Sequence, residues 1–257
     1  MTTLGILGVG YLGECLVEGL ALSGTPTLLS PRNPDRAARL ADRHACVTLA
    51  PDNAGVVAGA DLVFLATRPA DIAAVAAGLP WRAGQCAVSI AAGIRLETVA
   101  AAVAPATAFR AMPIAASRIA RSPTPFHPQN ATVEAALARL GSAHPIESET
   151  AFETAGVFGA FYALTYAYIG EAADWAAANG LAAGDARALA ARMAEAAAAA
   201  ILEAPQKRPQ QLLDDLMTEG GITEAGLEVL QATGALPRWA EALDASLARA
   251  RRLGGGA

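Results

Sequence analysis

The run Gly8-Val9-Gly10-Tyr11-Leu12-Gly13 carries the strongest chemical signal in the chain. It follows an apolar strand-like segment and opens a helix-like one, the setting in which this glycine spacing binds a dinucleotide. Gly8 permits a tight turn, Gly10 lets the backbone approach a pyrophosphate, and Gly13 lets helix and strand pack closely. The helix N-terminus then turns free N–H groups and a positive dipole end toward the phosphates. A purely structural turn is the competing reading, and the α/β units that follow weigh against it. The end of the second strand reads Leu29-Ser30-Pro31-Arg32-Asn33-Pro34. No carboxylate stands there to accept from a ribose hydroxyl, as an NAD site requires. Ser30 can donate to a phosphate oxygen, and Arg32 can grip a 2′-phosphate with its planar fork. The residues therefore favour NADPH over NADH; the competing reading makes Arg32 an ordinary surface arginine.

These residues need a scaffold, and the first half of the chain supplies one. Leu4–Leu7, Thr27–Leu29, Leu62–Ala66, Ala87–Ile90 and Thr107–Met112 read as strands. Tyr11–Leu22, Pro34–Arg43, Ala70–Ala77 and Leu96–Val103 read as the helices between them. Near-continuous apolar strands alternating with helices imply a Rossmann-type, doubly wound α/β parallel sheet covered on both faces. The segment Pro113–Asn130 holds four prolines and reads as a loop. A helix at Ala131–Leu140 and a strand near Ala143–Ile146 complete a dinucleotide-binding domain over residues 1–149.

From Thr150 the strand signal disappears. Five helices are expected: Phe152–Asn179, Ala183–Glu203, Arg208–Met217, Thr223–Thr233 and Pro237–Arg252. Alanine richness favours them. Thr223 and Pro237 suit helix starts, and Gly180 and Gly234 suit stops. The first of these helices is apolar on nearly every face, so it needs neighbours on every side. A second subunit supplies them best, which makes residues 150–257 an all-α dimerisation and substrate domain.

Composition narrows the function classes. Among 257 residues, 54% are hydrophobic and 17% charged, and 19 basic against 24 acidic residues give a net charge of −5. No positive face advertises nucleic acid, and no run of eighteen strongly apolar residues advertises a membrane span. Mean hydropathy is +0.34, an excess that comes mostly from alanine. Cys15, Cys46 and Cys86, like His44, His127 and His144, are scattered, which argues against disulfides and zinc. Met1-Thr2-Thr3-Leu4 lacks the basic start of a secretory signal. A cytoplasmic, metal-free protein with a small-molecule partner is the expectation.

Several runs together resemble the pyrroline-5-carboxylate reductase family. They are the segment from Gly5 to Gly13, then Val63-Phe64-Leu65-Ala66-Thr67-Arg68-Pro69, Val88-Ser89-Ile90-Ala91-Ala92-Gly93-Ile94 and Phe109-Arg110-Ala111-Met112-Pro113. The second half is similar in layout, down to Gly220-Gly221 and Thr223. The resemblance implies an enzyme of proline biosynthesis type, an oxidoreductase that reduces a cyclic C=N bond with NAD(P)H and dimerises through its helices. It implies that Asn53 contacts the adenosine end, that Ala66, Thr67, Arg68 and Pro69 border the dinucleotide, and that Ala91, Ala92 and Gly93 lie near the nicotinamide. Thr223 then hydrogen-bonds the imine nitrogen as the catalytic candidate. No nucleophile or metal is required, because placement in a dry pocket supplies much of the acceleration.

Three departures fall where the family holds its substrate. Ile114 replaces the asparagine after Met-Pro, the long helix opens Thr154-Ala155-Gly156-Val157-Phe158-Gly159, and the glycine loop reads Thr218-Glu219-Gly220-Gly221-Ile222-Thr223. Family members bind a substrate carboxylate with that loop's amides and hydroxyls, and Glu219 adds an anion there. Two like charges about 5 Å apart cost roughly 1–3 kcal/mol at intermediate dielectric. With Ile114, Phe158 and Tyr162 in the pocket, a bulkier, less acidic or amine-bearing imine fits better than pyrroline-5-carboxylate. Tyr162 is also the best-placed tyrosine proton donor, although core packing accounts for it as well. A β-hydroxyacid dehydrogenase would want a lysine on the first long helix, and the chain's one lysine is Lys207. A non-catalytic dinucleotide sensor is the third reading.

Overall fold

The computed structural model describes residues 2–254. It divides into two compact units, Met1–Gly159 with Leu247–Ala257, and Ala160–Ser246. The first unit carries β1 (Leu4–Leu7), β2 (Thr27–Leu29), β3 (Val47–Leu49), β4 (Leu62–Leu65), β5 (Cys86–Ser89), β6 (Thr107–Ala111), β7 (Ser122–His127) and β8 (Gly141–Pro145). They form one sheet in the order β3-β2-β1-β4-β5-β6-β7-β8. β1 to β6 run parallel, β7 runs antiparallel to β6, and β8 follows β7 in parallel. The first unit's helices are α1 (Tyr11–Leu22), α2 (Pro34–Arg43), α3 (Asn53–Gly59), α4 (Ile72–Ala76), α5 (Leu96–Val103), α6 (Ala131–Leu137) and α7 (Glu149–Gly156).

Burial on both faces explains the apolar strands. In β4, Leu62 and Phe64 join one core with Leu16 and Leu20 of α1, Leu40 of α2 and Val133 of α6. Val63 and Leu65 join the other, with Val56 and Val57 of α3, Ile72 of α4 and Val99 of α5. Successive residues of a strand point to opposite faces, so a strand between two helical layers must be apolar at every position.

The segment read as a loop is the main correction in this unit. Pro113–Asn130 contains β7 and a 3₁₀ turn, Ala115–Ile119. β7 admits two prolines because of where their missing donors fall. Phe126 O accepts from Ile146 N beyond β8, whereas Pro125 O accepts from Met112 N on the β6 side. Alternation puts Pro123 and Pro125 together on that β6 side, where register extends over only Arg110↔His127 and Ala111↔Phe126. The ladder to β8 therefore loses no donor. β3 and α3 also stand where no element was expected. β3 has three residues, two of them exposed, which is too little pattern to signal a strand.

The helical part comprises α8 (Phe158–Ala178), α9 (Ala183–Glu203), α10 (Pro209–Leu216), α11 (Ile222–Ala232) and α12 (Ala235–Gly254). The single helix expected over Phe152–Asn179 is two, α7 and α8, broken at Val157. α11 starts from a cap at Gly221 rather than at Thr223, and α12 starts two residues before Pro237. Gly180 does end α8, at φ +99°, with Leu181 N returning to Ala176 O. Within the second unit Trp239 meets Phe161 and Tyr168 edge-on, at 5.8 and 6.4 Å between ring centroids. α8 buries only Ala173 in the single chain, leaving Tyr166, Tyr168 and Trp175 exposed.

One ion pair ties the first unit's later elements together. Arg110 of β6 is 3% exposed and meets Glu149 of α7 at 2.7 Å. The same carboxylate oxygen accepts from Leu96 N at the start of α5, at 2.7 Å. The guanidinium lies 4.7 Å over the Phe152 ring. Burial opposes ionisation of Glu149, but the Leu96 amide, Arg110 and Arg95 outweigh it and hold the carboxyl below its ordinary value of 4.5. Its stabilisation is therefore present above pH 4.5 and is lost as pH falls through the lowered folded value. Glu149→Gln should cost about 2–3 kcal/mol at pH 7, because Arg110 is left buried without a counter-charge. Denaturant unfolding should show that loss shrinking below pH 4; a loss that stays constant with pH would contradict the pair's role.

Candidate functional site

β1 lies between β2 and β4, so successive strands leave it in opposite directions. Outside the carboxyl ends of such strands a crevice opens in which ligands bind. The glycine turn sits there, and its three glycines are not equivalent. Gly8 adopts φ +98°, and a Cβ on it would lie 2.9 Å from Ala66 O and Thr67 Cγ2. A Cβ on Gly13 would lie 2.5 Å from Gly8 O. Both glycines are demanded by the protein's own packing. A Cβ on Gly10 would meet nothing within 4 Å, so the protein itself has no use for the missing side chain there. Gly10 is also the N-cap of α1, and no side chain caps that helix. Its first N–H groups thus face the open side, the arrangement that receives an anion. Beside the turn, the Thr67 hydroxyl oxygen is buried without a hydrogen-bond partner, a donor and acceptor that a bound dinucleotide would satisfy. The residues fit the group.

The rim departs from the expectation at Ser30. Ser30 is fully buried, and its hydroxyl accepts from Gly8 N at 3.1 Å. It shapes the turn from beneath instead of lying open on the rim. Arg32 is half exposed and sits 3.5 Å from Asp71, which also binds Arg68 Nε at 3.0 Å. Arg36 and Arg39 are engaged elsewhere, on Glu14. Asn53 opens α3 and lines a cleft of about 520 Å³ with Pro31, Arg32, Asp52 and Leu79. Tyr11 is exposed and Leu12 half-buried at the first turn of α1. Ala66 directly follows β4, and Pro69 starts a 3₁₀ turn that runs to Asp71. Ala91 and Ala92 follow β5, and Gly93 turns the chain at φ +77°.

Three further residues stand at the rim beyond those expected from the sequence pattern. Asn33 adopts φ +71° and reaches Val9 O with its amide at 3.5 Å, tying the second strand's exit to the turn. Asp52 caps α3 by accepting from Gly55 N at 2.7 Å; an aspartate just before a helix is a legible cap signal. Asp71 comes from the far side of β1, and no local pattern announces it.

The residues expected at the substrate divide between the units. Ile114 and Phe158 belong to the first. Ile114 N donates to Ser122 Oγ at 3.0 Å, and Phe158 is 62% exposed. Tyr162, Thr218, Glu219, Gly220, Gly221 and Thr223 belong to the second. Gly221 N returns to Thr218 O at 2.8 Å, and Gly220 N donates to Glu224 at 2.7 Å. Thr223 is exposed in the first turn of α11, and Tyr162 meets Tyr166 through their hydroxyls. Burial pushes the thiols of Cys15 and Cys86 up, which makes them poor nucleophiles. No helix among the described residues is long and apolar enough to cross a membrane.

Residues 3–93 match the family described as NADP oxidoreductase, coenzyme F420-dependent, and residues 147–253 match the pyrroline-5-carboxylate reductase dimerisation family. Pyrroline-5-carboxylate reductase of Thermus thermophilus is 30% identical over 275 residues, which cover 98% of each chain. Pyrroline-5-carboxylate reductase 2 of Bacillus subtilis is 28% identical over 90% of this chain and 87% of its own. The crystal structure of 1-pyrroline-5-carboxylate reductase from Streptococcus pyogenes superposes with a TM-score of 0.84 at 26% identity, covering 98% of both chains.

The different roles of the glycines give a test. Gly13→Ala should destabilise the chain by about 1–3 kcal/mol through overpacking. Gly10→Asn keeps a good helix cap, so it should leave the melting temperature unchanged while weakening NADPH binding at least about tenfold, or 1.4 kcal/mol. Undiminished NADPH affinity in Gly10→Asn would remove the turn from the site.

Proposed function

The chain belongs to the pyrroline-5-carboxylate reductase family, and from that premise we propose that it is an NADPH-dependent reductase of cyclic C=N bonds that works as a homodimer through its helical half. The observation that carries the reading is the open face at Gly10, beside the unpartnered Thr67 hydroxyl. Gly8, Gly10, Tyr11, Leu12 and Gly13 hold the pyrophosphate, with Ser30 fixing the turn below. Arg32 takes the 2′-phosphate, and Asn53 takes the adenosine end in the cleft that it lines. Ala66 to Pro69 border the dinucleotide, and Ala91, Ala92 and Gly93 border its nicotinamide. When bound, NADPH supplies the hydride that reduces the imine carbon. Thr223 donates a hydrogen bond to the imine nitrogen, which polarises the bond being reduced. The exposed aromatic side chains of α8 support the dimer, since apolar surface of this extent marks an association face.

The preferred substrate is a cyclic imine that is less acidic than pyrroline-5-carboxylate and bulkier. Two carboxylates support this. Glu219 stands in the glycine loop, and Glu224 already occupies the Gly220 amide, one of the donors that a substrate carboxylate would seek. Ile114 and Phe158 add apolar bulk to the lining. The dehydrogenase reading gains nothing from Lys207, which pairs with Asp215 at 2.7 Å.

NADPH oxidation should be followed against pyrroline-5-carboxylate, 1-pyrroline, larger uncharged cyclic imines and simple ketones. The uncharged imines should be turned over with kcat/KM at least about tenfold higher, the ratio that a repulsion of roughly 1.4 kcal/mol produces. Glu219→Gln should narrow that gap by raising kcat/KM on pyrroline-5-carboxylate. Equal or better use of pyrroline-5-carboxylate by the parent would overturn the substrate reading. Tight NADPH binding without turnover of any of them would leave a sensor.

A further inference from the structure

The sequence places no carboxylate at the end of β2, yet the fold brings one there. Asp71 lies in the 3₁₀ turn after β4, on the opposite side of β1 from Arg32. One of its oxygens, Oδ2, faces both Arg32 Nη2 at 3.5 Å and Arg68 Nε at 3.0 Å. The arginines are 53% and 81% exposed and the aspartate 26%. Exposed ion pairs of this kind contribute little to stability, so the cluster opens cheaply when a ligand arrives. The other rim arginines, Arg36 and Arg39, are held by Glu14. The three groups Arg32, Arg68 and Asp71 thus form a self-contained switch at the place where the adenosine ribose is read.

We propose that Asp71 is the cofactor-discriminating residue of this site. The inference rests on the reading of the glycine turn as a dinucleotide site. With a plain ribose, the Asp71 carboxylate accepts from the 2′-hydroxyl, the role that an acidic residue at the end of β2 plays in an NAD site. With a 2′-phosphate, Arg32 and Arg68 turn from Asp71 to the phosphate, and the carboxylate remains as a like charge beside it. The aspartate therefore lifts the affinity for NADH and lowers that for NADPH, and the two arginines do the reverse. The chain consequently accepts both cofactors, with NADPH ahead by a smaller margin than Arg32 and Arg68 alone would give. Specificity here is a difference between two affinities, set by an attractive and a repulsive element together.

The experiment is a fluorescence titration of the full-length chain with NADPH and with NADH, backed by calorimetry with 2′,5′-ADP and 5′-ADP. Asp71→Asn should tighten NADPH and 2′,5′-ADP and weaken NADH. The ratio of the two nicotinamide affinities should shift about tenfold toward NADPH, the size expected for one like charge removed at the rim. Asp71→Glu, which keeps the charge, should stay close to the parent. An unchanged ratio in Asp71→Asn, or a shift toward NADH, overturns the assignment while leaving the dinucleotide site intact. A parent chain that binds neither nicotinamide nucleotide overturns the site itself.

Discussion

The structure turns on the contact between Gly13 and the Gly8 carbonyl. The helix and the turn approach so closely that a single methyl group would stand 2.5 Å from that oxygen. This closeness aims the first turn of α1 at the crevice between the ends of β2 and β4. Ser30 supports the turn from below by accepting the Gly8 amide, and Asn33 ties the neighbouring loop to Val9. Of the turn's three glycines, only Gly10 has open space where a side chain would stand. Binding is thereby prepared by subtraction: a helix end without a capping side chain, a glycine without a neighbour, and a buried hydroxyl without a partner.

Charge is distributed with similar economy. The chain carries few charged residues for its length, and several that matter are spent in pairs. Arg110 and Glu149 join the ends of β6, α5 and α7 inside the first unit. Their pairing anchors the start of α5 three residues after Gly93, where the nicotinamide end is proposed to lie. The rim pairs are exposed and weak, as a site that must exchange a ligand requires. In the second unit Glu224 spends its charge on the Gly220 amide, which bears on the acidity of any substrate that reaches that loop.

What the sequence made legible was local. The glycine turn, the strands of the central sheet and the Gly180 stop each depend on residues within a few positions of one another. β7 was hidden because two prolines usually exclude a strand, and only the three-dimensional pairing shows that their missing donors fall outside the β8 ladder. β3 was hidden because three residues at a sheet edge carry no period. The break at Val157 is flanked by Gly156 and Gly159, a local signal that the apolar residues on either side overrode in the helix pattern. Asp71 was hidden for a different reason. Its partner Arg32 is far away in sequence, and only the strand order β2-β1-β4 brings them together. The family resemblance supplied the roles of Asn53, Ala66 to Pro69, Ala91 to Gly93 and Thr223, whereas Ser30, read from its hydroxyl alone as a phosphate donor, lies beneath the turn.

The proposed cofactor site requires that the helix end at Gly10 receive a dinucleotide's pyrophosphate. A crystal structure of the chain grown with NADPH tests it most directly. The diphosphate should lie on the amides of the Gly10–Gly13 turn, the 2′-phosphate against Arg32, and the Thr67 hydroxyl within hydrogen-bond distance of the nucleotide. Density for NADPH anywhere else, or a turn that stays vacant at saturating NADPH, would contradict it.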